Sequence, residues 1–82
     1  MARLTQKISF DRAIDVRGLS LPRPLLSTQQ ALEALNSGEI LKVVTGDQES
    51  ANDFHTYARH AHLTLLASFE RNGQFQFFLR KP

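Results

Sequence analysis

The dipeptide Asn72-Gly73 constrains the fold of this chain more than any other feature of its sequence. Asparagine and glycine both tolerate a positive φ, which a two-residue β-hairpin turn requires at its two central positions. The residues on either side alternate between apolar and polar, as they do in half-buried strands. We therefore predict an antiparallel hairpin whose strands cover residues 63–70 and 75–79.

The alternation also predicts which side chains of the hairpin share a face of the sheet. Successive side chains of a strand point to opposite faces. Leu66 and Phe78 are out of phase with their neighbours, so we expect both on the face that is turned away from the core. The set expected on the core face of the first hairpin strand is Leu63, Leu65, Ala67 and Phe69.

Two more strands are predicted before the hairpin. Alternating residues over 7–10 and 13–16 indicate a first strand, which ends before Gly18. The run over 40–45 is rich in β-branched residues and indicates a second strand, which ends at Gly46. Each of these strands is followed by a segment with helical periodicity.

The two helical segments carry start and stop signals. We expect the N-cap of the first helix at Ser20 or Leu21, and a stop at residues 36–38, which read Asn-Ser-Gly. The second helix is expected to begin at Ser50, which with Asp53 resembles a capping box. Its apolar stripe continues to residue 61.

The predicted order is β-α-β-α-β-β, which defines an α/β (α+β) fold. Two strands joined by a helix are most easily parallel, whereas hairpin strands are antiparallel, so the sheet should be mixed and four-stranded. Two helices of this length can cover one face of such a sheet, giving a two-layer sandwich with an open second face. We expect residues 1–82 to form a single domain, because 82 residues are too few for two cores.

Composition excludes several classes of protein. No run of about 18 apolar residues is present, and residues 1–7 lack the apolar stretch of a signal peptide, so we expect a cytoplasmic protein with no membrane partner. The chain contains no cysteine, which excludes disulfides, thiolate metal sites and cysteine nucleophiles.

The remaining polar groups do not indicate a metal, a cofactor or acid–base catalysis. His55 and His60 are five residues apart, about 140° around a helix, and cannot easily share one ion. Asp47, Glu49 and Asp53 surround the start of the second helix, where negative groups stabilise the helix dipole. We therefore predict no metal ion and no cofactor.

The segment with the most chemical information is Gly18-Leu19-Ser20-Leu21-Pro22-Arg23-Pro24, directly before the first helix. Proline is tolerated in the first turn of a helix, where its missing N–H has no intrahelical partner. The segment resembles the signature of the TusA/SirA family of small bacterial sulfur-carrier proteins, which is Gly-x-x-Cys-Pro-x-Pro at a strand-to-helix junction. The resemblance covers residues 13–80 and implies the same β-α-β-α-β-β fold.

The chain departs from the family signature at Leu21, which stands where the family carries its persulfide-forming cysteine. A cysteine there would face free N–H groups and the positive end of the helix dipole, which lower its pKa. Leucine cannot ionise or bond sulfur. Leu21 either folds inward as a core residue or forms an exposed apolar contact, and the enzyme interpretation fails unless its cysteine was replaced.

The resemblance and the departure together suggest a non-catalytic protein-interaction or regulatory module related to sulfur transfer. Arg17 and Arg23 flank the start of the first helix and could hold an anion or a carboxylate of a partner, or could simply be solvated. The alternative function is a sulfur carrier whose cysteine has been replaced at position 21. The candidate partner-binding residues are Arg17, Gly18, Leu21, Pro22, Arg23 and Pro24.

A second alternative is an RNA-binding module. The hairpin is rich in phenylalanine and carries basic residues that could stack against and neutralise single-stranded nucleic acid. The predicted arrangement is similar to the C-terminal domain of bacterial translation initiation factor 3, which is an analogy of fold only. Residues 25–62 weigh against RNA, because they carry five acidic groups and two basic ones.

Overall fold

The structure is a computed structural model that describes residues 8–19 and 23–82. Its elements follow the predicted order, and they confirm the fold class. Within the described residues, no helix is long and apolar enough to cross a membrane. The elements are β1 (Arg12–Asp15), α1 (Arg23–Glu33), β2 (Ile40–Thr45), α2 (Gln48–His60), β3 (Thr64–Arg71) and β4 (Gln74–Arg80).

The four strands form one mixed sheet in the order β1-β2-β4-β3. The strands β1 and β2 are parallel, as expected for strands joined by a helix. The strands β3 and β4 are antiparallel, and β4 also pairs antiparallel with β2. The last strand of the chain is therefore inserted between β2 and β3.

Both helices pack on one face of the sheet around a single apolar cluster. Leu41 and Leu79 are fully buried on the sheet side of this cluster, and Leu32 supplies α1's contribution. From α2, the ring of Phe54 stacks on that of Phe77, with ring centroids 5.7 Å apart. This single core confirms the two-layer arrangement with both helices on the same face.

The first strand is shorter than predicted. It begins at Arg12, and residues 8–10 lie outside it, while residue 7 is outside the described residues. The side chain of Asp11 accepts a hydrogen bond from the Ile40 N–H at 2.8 Å, and the Asp11 N–H donates to the Ile40 carbonyl. The Asp11 side chain thus accepts from the Ile40 N–H, which would otherwise donate to the backbone of the neighbouring strand. Regular pairing of β1 with β2 therefore starts at Arg12.

The N-cap of α2 lies three residues before Ser50, the cap that the predicted capping box implies. The N-cap is Asp47, whose Oδ1 accepts a hydrogen bond from the Ser50 N–H at 2.7 Å. Ser50 is therefore a residue of the first turn and not the cap. Asp53 does not complete a capping box, and its Oδ2 is buried without a hydrogen-bond partner among the described residues. Asp47 was expected near this helix start, and its capping role is confirmed.

The first hairpin strand contains a β-bulge that the alternation did not predict. Pairing with β4 passes from Leu65–Leu79 directly to Ala67–Phe78, so Leu66 is an extra residue. Each residue after the bulge moves to the opposite face from the one predicted. Ala67 and Phe69 therefore lie on the face turned away from the helices, and the prediction that they face the core is wrong.

The hairpin turn itself is as predicted. Asn72 has a φ of 53° and Gly73 a φ of 80°, which is the backbone of a two-residue turn with positive φ at both positions. The helix α1 ends at Glu33, three residues before the predicted stop at 36–38, and Gly38, with a φ of 87°, belongs to the turn that leads into β2. The ammonium of Lys81 donates to the Leu35 carbonyl at 2.7 Å, beyond the end of the helix.

Candidate functional site

The described residues of the motif segment, which are Gly18, Leu19, Arg23 and Pro24, lie at the carboxyl ends of the two parallel strands. Because β1 and β2 are parallel and a helix follows each of them, α1 and α2 both begin at this edge of the sheet. The side chain of Arg17 packs over Gly46, with Arg17 Cγ 3.6 Å from the position that a Cβ on Gly46 would take. The loops after β1 and β2 are therefore neighbours.

Gly18 provides the turn that leaves β1. Its φ is 82°, a region that residues with a side chain rarely adopt, and apart from its chain neighbours no atom of the described residues lies within 4 Å of the place of a Cβ. The Leu19 N–H donates to the Val16 carbonyl at 3.2 Å and closes the turn. Glycine is required here for its backbone conformation and not for a close contact.

Arg17 is held by a carboxylate of its own chain. Its Nη2 donates to Asp15 Oδ2 at 2.6 Å, its Nε bonds both carboxylate oxygens, and its backbone N–H donates to Oδ1. Hydrogen bonds from Arg17 hold the pKa of Asp15 below its usual value, and the same bonds raise the pKa of Arg17. The pair is exposed to solvent, so it orients the Arg17 side chain more than it stabilises the fold.

The first turn of α1 contains one buried and one exposed residue of the motif. Pro24 is fully buried, and its carbonyl accepts a hydrogen bond from Thr28 Oγ1 at 2.8 Å. Arg23 is exposed at the first described position of the helix. Pro24 therefore anchors the junction to the core, and Arg23 points to solvent beside it.

Sequence reasoning missed Leu26 as a surface residue. It is 51% exposed, more than any other large apolar side chain among the described residues. Leu26 lies three residues after Arg23, so the two side chains share one side of α1. The signal was present in the sequence, because Leu26 does not belong to the helical stripe formed by Leu25, Thr28 and Leu32.

The structure brings most of the predicted site residues to one edge of the fold. Arg17 and Gly18 lie in the loop after β1, while Arg23 and Pro24 begin α1. The predicted N-cap at Ser20 or Leu21, and the candidate residues Leu21 and Pro22, lie outside the described residues. The role of these residues in binding a partner stays a prediction.

The histidines occupy separate places. His55 packs edge-on against the ring of Phe77, with ring centroids 5.3 Å apart. His62 follows the end of α2 with a φ of 58°. In the part of the chain that the structure describes, no three histidine, aspartate or glutamate side chains gather into a group that could hold a metal ion.

The fold and this junction define a class of small two-layer α/β domains in which a strand ends at a glycine turn and the next helix has a buried proline in its first turn. The family model "Sulfurtransferase TusA" matches residues 12–81. The chain therefore belongs to the TusA family.

Individual relatives agree with this assignment. A sulfur carrier protein TusA of Allochromatium vinosum is 36% identical over 72 residues, which is 88% of this chain and 95% of the relative. A sulfur carrier protein TusA of Pseudomonas putida is 30% identical over 71 residues, covering 87% and 89% of the two chains. The solved structure of a SirA-like protein from Desulfitobacterium hafniense superposes with a TM-score of 0.76 at 21% identity, covering 85% of this chain and 96% of that one.

Proposed function

We propose that this chain is a non-catalytic member of its family that docks on a protein partner of a cytoplasmic sulfur-relay system and regulates access to it. The observation that carries the proposal is that the chain contains no cysteine, although it belongs to a family whose relatives are named sulfur carriers. A persulfide needs a cysteine sulfur, so these 82 residues cannot carry sulfur in that form.

The preserved junction supports a docking role. Gly18 keeps the turn that only glycine adopts without strain, and Pro24 is still buried in the first turn of the helix. Neither feature is needed to hold a sulfur atom, but both are needed to present the start of α1 in a fixed orientation.

The surface beside the junction has the composition of a small contact patch. Arg23 and Leu26 are both exposed on the first turns of α1, and Arg17 lies in the loop before them. An exposed leucine flanked by cations can pack against an apolar residue of a partner whose surroundings are acidic. Leu21 would extend the apolar part of this patch.

A competition assay tests the proposal. A cysteine-bearing TusA relative is loaded with sulfur by a cysteine desulfurase, and the loading rate is followed by intact-mass analysis as this chain is added. We expect the rate to fall as the concentration of this chain rises, because the two proteins would share a docking surface on the desulfurase. An unchanged rate at a large excess of this chain contradicts the proposal.

Two charge-reversal variants test whether the competition depends on the surface beside the junction. Arg23→Glu should abolish the competition, because it places a negative charge in the proposed patch. Arg59→Glu changes the net charge equally, but Arg59 lies in the last turn of α2, and this variant should compete as the unmodified chain does. Equal effects of the two variants would show that the competition depends on net charge and not on the patch.

The alternative function is a sulfur carrier in which the cysteine at position 21 has been replaced. A cysteine codon at this position in the native gene would establish that alternative. A leucine codon would leave the docking role as the function to be tested.

A further inference from the structure

The sheet face turned away from the helices carries three phenylalanine rings, with Phe78 in contact with both Phe10 and Phe69. The ring centroid of Phe78 lies 6.2 Å from that of Phe10 and 6.1 Å from that of Phe69. Phe78 is only 5% exposed, whereas Phe10 and Phe69 are 45% and 39% exposed. We call these three residues the aromatic row. Its two outer rings cover the central one and keep apolar surface in contact with solvent.

The β-bulge in β3 creates this row. Without the extra residue Leu66, the alternation places Phe69 on the core face, as the sequence suggested. With it, Phe69 pairs opposite Gln76 and lies on the same face as Phe78. Bulges often re-aim a side chain where a surface has a function.

Three cations surround the aromatic row on the same face. Lys42 pairs directly opposite Phe78, and its Nζ lies 5.2 Å from the centre of the Phe10 ring. Arg80 is two residues beyond Phe78 on β4, and Arg71 is two residues beyond Phe69 on β3. Because side chains two residues apart in a strand point to the same face, these cations lie beside the rings.

Negative charge on this face is confined to the β1 edge, where the Asp11 carboxylate just before β1 accepts a hydrogen bond from the Ile40 N–H. Among the described strand residues, the only acidic side chain that the register places here is Asp15, and it is bonded to Arg17. Glu70 pairs opposite Phe75, whose ring packs against the core, so Glu70 lies on the helix side. The acidic residues of α2 and its cap also belong to the helix layer. Four of the five acidic residues of segment 25–62 are therefore in α1, in α2 or at the cap of α2, and only Glu39 is in the loop before β2.

The charge of the face selects its partner. A second copy of the chain docked through this face would bring cations opposite cations, which disfavours self-association. An acidic protein segment would satisfy the cations but would offer no flat group for the rings. Bases have two apolar faces and are joined by phosphates, so they match both features.

We propose that the aromatic row binds single-stranded nucleic acid. Bases stack on the exposed rings of Phe10 and Phe69, and phosphates lie against Lys42, Arg71 and Arg80. The aromatic row is on the opposite side of the sheet from Arg23 and Leu26, the residues proposed to contact a sulfur-relay partner on α1, so either proposal can fail without the other.

Fluorescence anisotropy of labelled mixed-sequence oligonucleotides of RNA and of DNA, titrated with the full chain at several salt concentrations, tests the proposal. With three cations engaged, the logarithm of the association constant should fall with the logarithm of salt concentration at a slope of about −2. If only the RNA arm binds, the site reads the 2′-hydroxyl, and if both arms bind, it reads the shared stacking and phosphate chemistry. No binding of either arm at low salt would overturn the proposal.

Matched variants distinguish binding at this sheet face from binding that depends on the net charge of the chain. Arg80→Gln should weaken binding and make the salt slope shallower by about 0.7, whereas Arg59→Gln, which removes one positive charge from the helix layer, should leave both unchanged. Phe69→Leu keeps an apolar side chain but removes a stacking ring, and it should weaken binding about fivefold or more. Circular dichroism confirms that each variant is folded.

Two further outcomes would overturn the proposal. The first is equal weakening by Arg80→Gln and Arg59→Gln, which would assign the binding to overall charge. The second is displacement of the oligonucleotide by poly-glutamate together with no effect of Phe69→Leu. That result would assign the face to an acidic protein partner, because the rings would then contribute no stacking.

Discussion

Gly18 and Gly46 lie in neighbouring loops, but the backbone conformation requires glycine only at Gly18. Gly18 has a positive φ of 82°, whereas a Cβ on Gly46 would make an ordinary contact with Arg17 Cγ at 3.6 Å. We expect Gly18→Ala to lower the free energy of unfolding by about 1 kcal/mol, because alanine is strained in the left-handed region. Gly46→Ala should change it little. Urea unfolding measures both, and equal losses would contradict the assigned role of Gly18.

The pair of Asp15 and Arg17 predicts a pH dependence. The pKa of Asp15 is below its usual value of 3.8 in the folded protein, so the folded state favours the carboxylate. Its stabilisation is complete above about pH 5 and is lost as pH falls through the lowered pKa. Asp15→Asn and Arg17→Gln should therefore each flatten the same acidic part of a plot of unfolding temperature against pH. A profile that neither variant changes would contradict the ion pair.

At the scale of the element, substitutions at the start of α2 test whether Asp47 or Ser50 is its N-cap. Asp47→Ala should lower the free energy of unfolding by about 1 kcal/mol, because the Ser50 N–H loses its acceptor. Asp47→Asn should retain most of the stability, since asparagine caps equally well. Ser50→Ala should cost less than Asp47→Ala in the same urea titration. The reverse order would restore Ser50 as the cap.

Element types could be predicted from the sequence because their signals are local. Asn72-Gly73 carries its own turn geometry, and Gly38 likewise forms the turn before β2. The bulge at Leu66 could not be predicted, because Leu65 and Leu66 are both apolar and the alternation fits either one. Only the pairing with β4 decides which of them is the extra residue, and that pairing depends on contacts across the sheet.

At the scale of the whole molecule, the strand order β1-β2-β4-β3 could not be predicted from local sequence patterns either. Parallel and antiparallel pairs followed from connection lengths, but inserting β4 beside β2 depends on burying Phe77 and Leu79 under both helices. The junction was found through its glycine and prolines. Leu26 was missed although its position outside the apolar stripe of α1 indicated exposure, whereas the identity of a partner is not contained in the fold.

The central claim is that the chain keeps a docking surface for sulfur transfer but has no atom to carry sulfur. Intact-mass analysis tests it after incubation with a cysteine desulfurase and cysteine. Leu21→Cys should gain one sulfur atom per chain, because a thiolate at the helix start is activated and correctly presented. The unmodified chain should gain none. Ser37→Cys, on an exposed turn beyond the end of α1, should gain far less than Leu21→Cys. A folded Leu21→Cys variant that gains no more sulfur than Ser37→Cys would contradict the claim.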